Sequence, residues 1–130
     1  MDFMTDEKKT IVCVEREHGT YKTLSRELIS KFSDKISLVH FGTAKDALAY
    51  LSSGSADLVI SSLLQAQIDG IDLLNDIKEL HPNLPVIIYT NLEYKDEFFA
   101  WGHKPDAYVV RGKDGSDLPA TVERLLESAR

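Results

Sequence analysis

Five short runs rich in valine and isoleucine limit what this chain can become. They are TIVCV (10–14), ISLVHF (36–41), DLVIS (57–61), VIIYT (86–90) and AYVVR (107–111). Most lack the alternation of apolar and polar residues that a strand with one wet face shows. They therefore read as strands covered on both sides, the condition of a parallel sheet. Between them, apolar residues recur with the period of a helix. Tyr21, Leu24, Leu28 and Phe32 mark the first, and Ala44, Ala47, Leu48 and Leu51 the second. Leu73, Ile77 and Leu80 mark the third, Tyr94, Phe98 and Trp101 the fourth, and Leu118, Val122, Leu125 and Ala129 the fifth. Thr43, with Asp46 three residues on, is close to a capping box for the second helix. Pro82 closes the third helix, and Pro119 is tolerated in the first turn of the last.

Strand and helix thus alternate five times. That order implies an α/β sandwich of three layers, a parallel sheet with five helices on its two faces joined by right-handed crossovers. The 130 residues suit a single domain over 1–130, with about the first eight residues loose. The ending LLESAR coincides with the end of the last helix, which fits a stand-alone protein and a piece of a longer one equally.

Composition removes several function classes. The net charge of -6, from 15 basic and 21 acidic residues, argues against nucleic acid, which needs a basic surplus on one face. No apolar segment approaches the roughly 20 residues of a membrane span, and the start MDFMTDEKK is too polar for a secretory signal. A cytoplasmic protein is expected. Cys13, the only cysteine, lies in an apolar run and reads as a small core residue. His18, His40, His81 and His103 lack metal-ligand spacing and read as structural or solvated.

In open sheets of this class, sites form at the carboxyl ends of the strands, beside a topological switch point. This rule selects Glu15, Arg16 and Glu17 after the first strand, and Ser61 and Ser62 after the third. It also selects Thr90 and Asn91 after the fourth, and Arg111 at the end of the fifth. These groups should converge in one shallow cleft.

Taken together, the residues resemble the receiver domain of bacterial two-component response regulators along essentially the whole chain. The resemblance rests on the acidic patch after strand one, DLVI followed by a turn ending in Asp69-Gly70, Thr90 closing strand four, and DAYVVR in strand five. It implies the doubly wound, flavodoxin-like order 2-1-3-4-5. It also implies an Asp at the end of strand three that accepts a phosphoryl group from a histidine kinase, and two acids after strand one that help hold Mg²⁺. A Thr or Ser and a Lys contact the phosphoryl oxygens, and an aromatic residue in strand five reorients as the switch. Carried onto this sequence, Ser62 stands at the acceptor position. Glu15 keeps the first acid, while Arg16 replaces the second. Arg111 replaces the Lys, and Gly112 the Pro that usually follows it. Thr90 and Tyr108 match the switch pair, and Asn91 stands where a small residue is common.

These departures are expected to act together. The cleft holds two guanidiniums against one carboxylate, balanced once Glu17 is counted, so it has no electrostatic need for a divalent ion. Arg16 has no lone pair with which to bind one. No metal and no cofactor are expected; instead Arg16 or Arg111 should pair with Glu15. Ser62 is a weak nucleophile that needs a nearby base, for which Glu15 is the only close candidate. Asp57 begins strand three at the wrong end, and Asp69 reads as turn chemistry with Gly70. No catalytic residue is assigned. Function is expected to reside in a protein partner, a signalling protein or an effector domain of the same protein. That partner is expected on the face of the fourth helix, fifth strand and fifth helix, through Phe99, Trp101 and Tyr108, with His103 nearby, and a homodimer is one form of it. Two other readings stay open. Arg16, Ser62, Thr90 and Arg111 would cradle a phosphate-bearing small molecule or nucleotide without metal, against which stands the lack of a glycine-rich loop after strand one. Alternatively, Ser62 or Asp69 would serve as an unorthodox phosphoacceptor.

Overall fold

The computed structural model describes residues 8–62, 68–93, 95–100, 102–112 and 117–128. The expected loose start, Tyr94, Trp101 and Ala129 therefore lie outside the described residues, as does the side chain of Asp69. The elements run β1 (Lys9–Val14), α1 (His18–Phe32), β2 (Ile36–Phe41), α2 (Ala44–Ser53) and β3 (Leu58–Ser61). They continue with α3 (Ile68–Leu80), β4 (Val86–Thr90), β5 (Ala107–Val110) and α4 (Leu118–Ser128). All four strand pairings are parallel, and the sheet order is β2-β1-β3-β4-β5. The doubly wound, flavodoxin-like class expected from the sequence is the class observed.

Alternate residues of the central strands feed two cores. Ile11 and Cys13 of β1, Leu58 and Ile60 of β3, and Ile87 and Tyr89 of β4 join Leu24, Leu28 and Phe32 of α1 and Val122 and Leu126 of α4. Val12, Val14, Val59, Val86 and Ile88 face the other way, toward Ala47 and Leu51 of α2 and Leu73, Leu74 and Ile77 of α3. The sheet is apolar on both faces because both are covered, which is why its strands show no simple alternation. At the start of α2 the Thr43 hydroxyl accepts the Asp46 N–H at 3.2 Å, the cap the sequence suggested.

One element departs from expectation. The spacing of Tyr94, Phe98 and Trp101 predicts a helix between β4 and β5, but the described residues there form only a 3-10 turn, Asp96–Phe99. Phe99, expected to be exposed one step off a helical stripe, is buried, 2% exposed, in the core shared with α2 and α3. Without helical geometry the stripe argument fails, and the tighter turn drives Phe99 inward over β4 and β5. There it meets Tyr108 edge-on, with centroids 6.2 Å apart.

At the amino ends of the strands a half-buried ion pair ties three segments together. Lys78 Nζ donates to Asp106 Oδ2 at 2.6 Å and to the Leu84 carbonyl at 2.8 Å. The same carboxylate oxygen accepts the Val86 N–H at 2.8 Å. Lys78 is 8% exposed, whereas the Asp106 side chain is 36% exposed. Removing one partner should therefore be asymmetric. Asp106→Ala strands a buried ammonium and the Val86 N–H, and is expected to cost about 2–4 kcal/mol in urea unfolding, the upper limit lowered by the exposure of Asp106. Lys78→Met leaves a carboxylate that still accepts from Val86 but frees the Leu84 carbonyl, and is expected to cost about 1–2 kcal/mol. Equal losses would contradict this account.

Burial also pushes the Cys13 thiol up from its ordinary 9.0 to about 12. Between those values the native thiol keeps its proton and the unfolded thiol has lost it. The unfolded state then binds fewer protons, so stability is complete below the lower value and falls as pH rises toward the upper one. The slope is at most about 1.4 kcal/mol per pH unit. Urea unfolding of the wild type should thus lose more stability than Cys13→Ala when pH is raised from about 8 to about 10.

Candidate functional site

Parallel pairing brings the carboxyl ends of the strands to one rim. Val14 lies opposite Ser61, and the Ser62 N–H donates to the Val14 carbonyl at 2.9 Å. Glu15 and Ser62 therefore follow β1 and β3 side by side. Thr90 closes β4 opposite Val110, and the Arg111 N–H donates to the Thr90 carbonyl at 2.7 Å. Along the rim the order is Glu15, Ser62, Thr90, Arg111, as the strand-end rule expects, while Arg16 sits exposed just outside.

Two of these side chains are buried with an unsatisfied atom. Glu15 is 5% exposed; its Oε2 accepts the Glu17 N–H at 2.9 Å, at the start of α1, and its Oε1 has no hydrogen-bond partner. Ser62 is 5% exposed, and its Oγ has no hydrogen-bond partner among the described residues either. The expected guanidinium bond to Glu15 is therefore not made at Oε1. Arg111 instead lies over the ring of Tyr89, 5.7 Å from its centroid, on the face covered by α1 and α4. Tyr89 has its hydroxyl pushed up by burial first and by the Glu27 carboxylate second, with Arg111 opposing both. Arg16 makes contacts of its own.

The backbone beneath Glu15 is held from the β2 side. Its N–H donates to the Phe41 carbonyl at 3.0 Å, and its carbonyl accepts from His40 Nε2 at 2.8 Å, which places the ring proton on that nitrogen. Tyr21 stacks on His40 with centroids 3.9 Å apart. Sequence spacing reads His40 as structural or solvated; its bond to the Glu15 carbonyl is set by the β1–β2 register, which spacing does not show.

Thr90 is fully buried, and its Oγ1 accepts the Leu92 N–H at 3.3 Å. The Tyr108 hydroxyl donates to the Leu92 carbonyl at 2.8 Å, so Thr90 and Tyr108 grip the same residue.

Among the described residues, no three His, Cys, Asp or Glu side chains gather to hold a metal ion. Among the described residues Glu15 is the carboxylate buried at the rim, with Oε2 already engaged, beside the Ser62 hydroxyl. Magnesium takes one or two carboxylates plus waters and phosphate oxygens, so this half-engaged carboxylate is the minimum such an ion needs.

The response regulator receiver domain model matches residues 11–118. The chain belongs to the receiver domain family. The transcriptional regulatory protein ZraR of Escherichia coli K12 is 29% identical to it over 126 residues, 95% of this chain and 27% of that protein. The DNA-binding transcriptional regulator NtrC of Salmonella typhimurium is 42% identical over 87 residues, 66% of this chain and 19% of that protein. The receiver thus spans about a quarter or less of these curated relatives. In fold it superposes on the signal receiver domain of an HD domain-containing protein from Pseudomonas fluorescens Pf-5. There the TM-score is 0.79 at 24% identity, covering 95% of this chain and 98% of that one.

The rim geometry separates two hydroxyls. Ser62→Ala removes an orphaned oxygen and is expected to be neutral or to stabilise by up to about 1 kcal/mol. Thr90→Val removes an acceptor used by Leu92 and is expected to cost about 1 kcal/mol in urea unfolding. A loss at Ser62 as large as that at Thr90 would show that its hydroxyl is bonded.

Proposed function

We propose that this receiver acts without phosphoryl transfer, as an interaction module of a two-component signalling system. The observation that carries the proposal is Ser62, at the place where the family resemblance expects the acceptor Asp. Its Oγ is buried and makes no hydrogen bond among the described residues. A serine becomes a nucleophile when a base takes its proton; the adjacent carboxylate, Glu15, accepts from a backbone N–H and does not bond to Ser62. The same geometry counts against Ser62 as an unorthodox acceptor. The stacking of Arg111 on Tyr89 weakens the alternative of an anion cradle, since that guanidinium is occupied on the α1–α4 face.

With the rim inert, Thr90 and Tyr108 would serve as fixed supports rather than as a switch, an assignment supported by their shared hold on Leu92. The partner surface proposed around β5 and α4 loses Phe99, which is buried, and keeps half-buried Tyr108. Trp101 lies outside the described residues. The proposal includes a cytoplasmic location and a protein partner, with a homodimer as one form of it. No α-helix among the described residues is long and apolar enough to cross a membrane.

The test is beryllofluoride or acetyl phosphate with Mg²⁺, followed by ¹⁵N NMR and intact-mass spectrometry. No saturable shifts at the rim and no adduct are expected. Rim shifts saturating at low millimolar ligand, or an adduct lost in Ser62→Ala, would sink the proposal.

A further inference from the structure

Helix α3 carries an outward row that its own stability does not explain. Asp72, Asp76 and Glu79 are exposed at spacings of four and three, so like charges face each other along one side of the helix. Glu79 also sits in the last turn, where the helix dipole disfavours an acid. None of the three forms an ion pair with another described residue. Lys78, the basic residue of that turn, is buried and committed to Asp106.

Beside this row runs a groove of about 360 Å³ between α2 and α3, lined by Leu48, Ser52, Asp76, Glu79 and Leu80. Leu80 is 46% exposed, one of two large apolar side chains so exposed among the described residues. It also borders a second cleft, of about 390 Å³, with His81, Pro82 and Leu84. A leucine ridge between two hollows with an acidic border is an unpartnered surface of definite chemistry. The basic residue of α2, Lys45, lies two turns from Ser52, roughly 10 Å along the axis, and leaves the Glu79 end uncompensated.

We propose that the α2–α3 groove docks a basic amphipathic helix of a protein partner, an apolar side chain against Leu80 and Leu48 with lysine or arginine against Asp76 and Glu79. Charge complementarity selects this occupant. A second copy would set acidic row against acidic row with -6 on each chain, and an anionic membrane surface would be repelled. The inference deepens the interaction-module reading, and it names a face away from both the strand-end rim and β5.

The probe is a synthetic amphipathic helix with a leucine face flanked by lysines, titrated into the ¹⁵N-labelled full chain. Shifts are expected to centre on Leu48, Ser52, Asp76, Glu79 and Leu80, and binding should weaken as salt is raised. Asp76→Asn with Glu79→Gln, and separately Leu80→Ser, should each weaken binding roughly tenfold. These positions are exposed, and the acid-to-amide pair should leave thermal stability equal or higher, since it removes like-charge repulsion. A peptide with its leucines replaced by serine should not bind the groove. Shifts centred on another face, or affinity unchanged in both variants, would overturn the inference. Such a failure leaves phosphorylation independence untouched, because that is read from beryllofluoride at the rim.

Discussion

A sheet covered on both faces cannot hold polar side chains in its middle, and the rest of this structure follows from that constraint. Ile11 to Val14, Leu58 to Ile60 and Val86 to Ile88 are fully buried. A hydroxyl or carboxylate among them would lose water without gaining a partner. Polar groups are displaced to where the ladders end, and there Glu15, Ser61, Ser62 and Thr90 are found, all still nearly closed to solvent. The order β2-β1-β3-β4-β5 then decides which of them are neighbours. The sheet thereby makes a rim of four adjacent positions before any chemistry is assigned to them.

In this protein the rim has come apart into separate local arrangements. Glu15 is held through its backbone by Phe41 and His40 and through Oε2 by the start of α1. Thr90 and Tyr108 both bind Leu92. Arg111 turns to the ring of Tyr89. Glu15 Oε1 is left without a hydrogen bond, and among the described residues no atom is shared among the three. A centre for phosphoryl transfer gathers several groups on one transferred phosphoryl, and it is this separation that the proposed reading rests on. Ser62, between them, is bonded to none through its side chain.

The strands were legible because continuous valine and isoleucine is a local signal. The cap at Thr43 was legible for the same reason. The order of the strand ends, by contrast, was implied only by the family resemblance. The segment before β5 was misread because Tyr94, Phe98 and Trp101 keep helical spacing over too short a span. Gly102 and Pro105 follow at once, leaving room for a turn rather than a helix. The stacking of Arg111 on Tyr89 and the pairing of Lys78 with Asp106 were invisible because register, not spacing, sets them. Lys78 stands next to Ile77 on α3 and 28 residues from its partner. Its helical position suggested only that it bordered a buried stripe.

The fold tolerates a short turn where a helix was expected because α3 does the holding. Asn75 Oδ1 accepts the His103 N–H at 2.7 Å, and a β-carbon on Gly102 would meet the same amide, so a larger residue there would have to displace the Asn75 side chain and this bond. One turn along, Lys78 reaches Asp106, whose N–H donates to the Val86 carbonyl at 2.8 Å and whose carboxylate accepts the Val86 N–H in return. Phe99 fills the space above Ile88 between these two ties. The β4–β5 connection is therefore fixed from outside itself, by two side chains of a neighbouring helix and one buried ring. With the inner side of α3 committed to that task and to the core, the helix has its acidic row and Leu80 left to offer a partner.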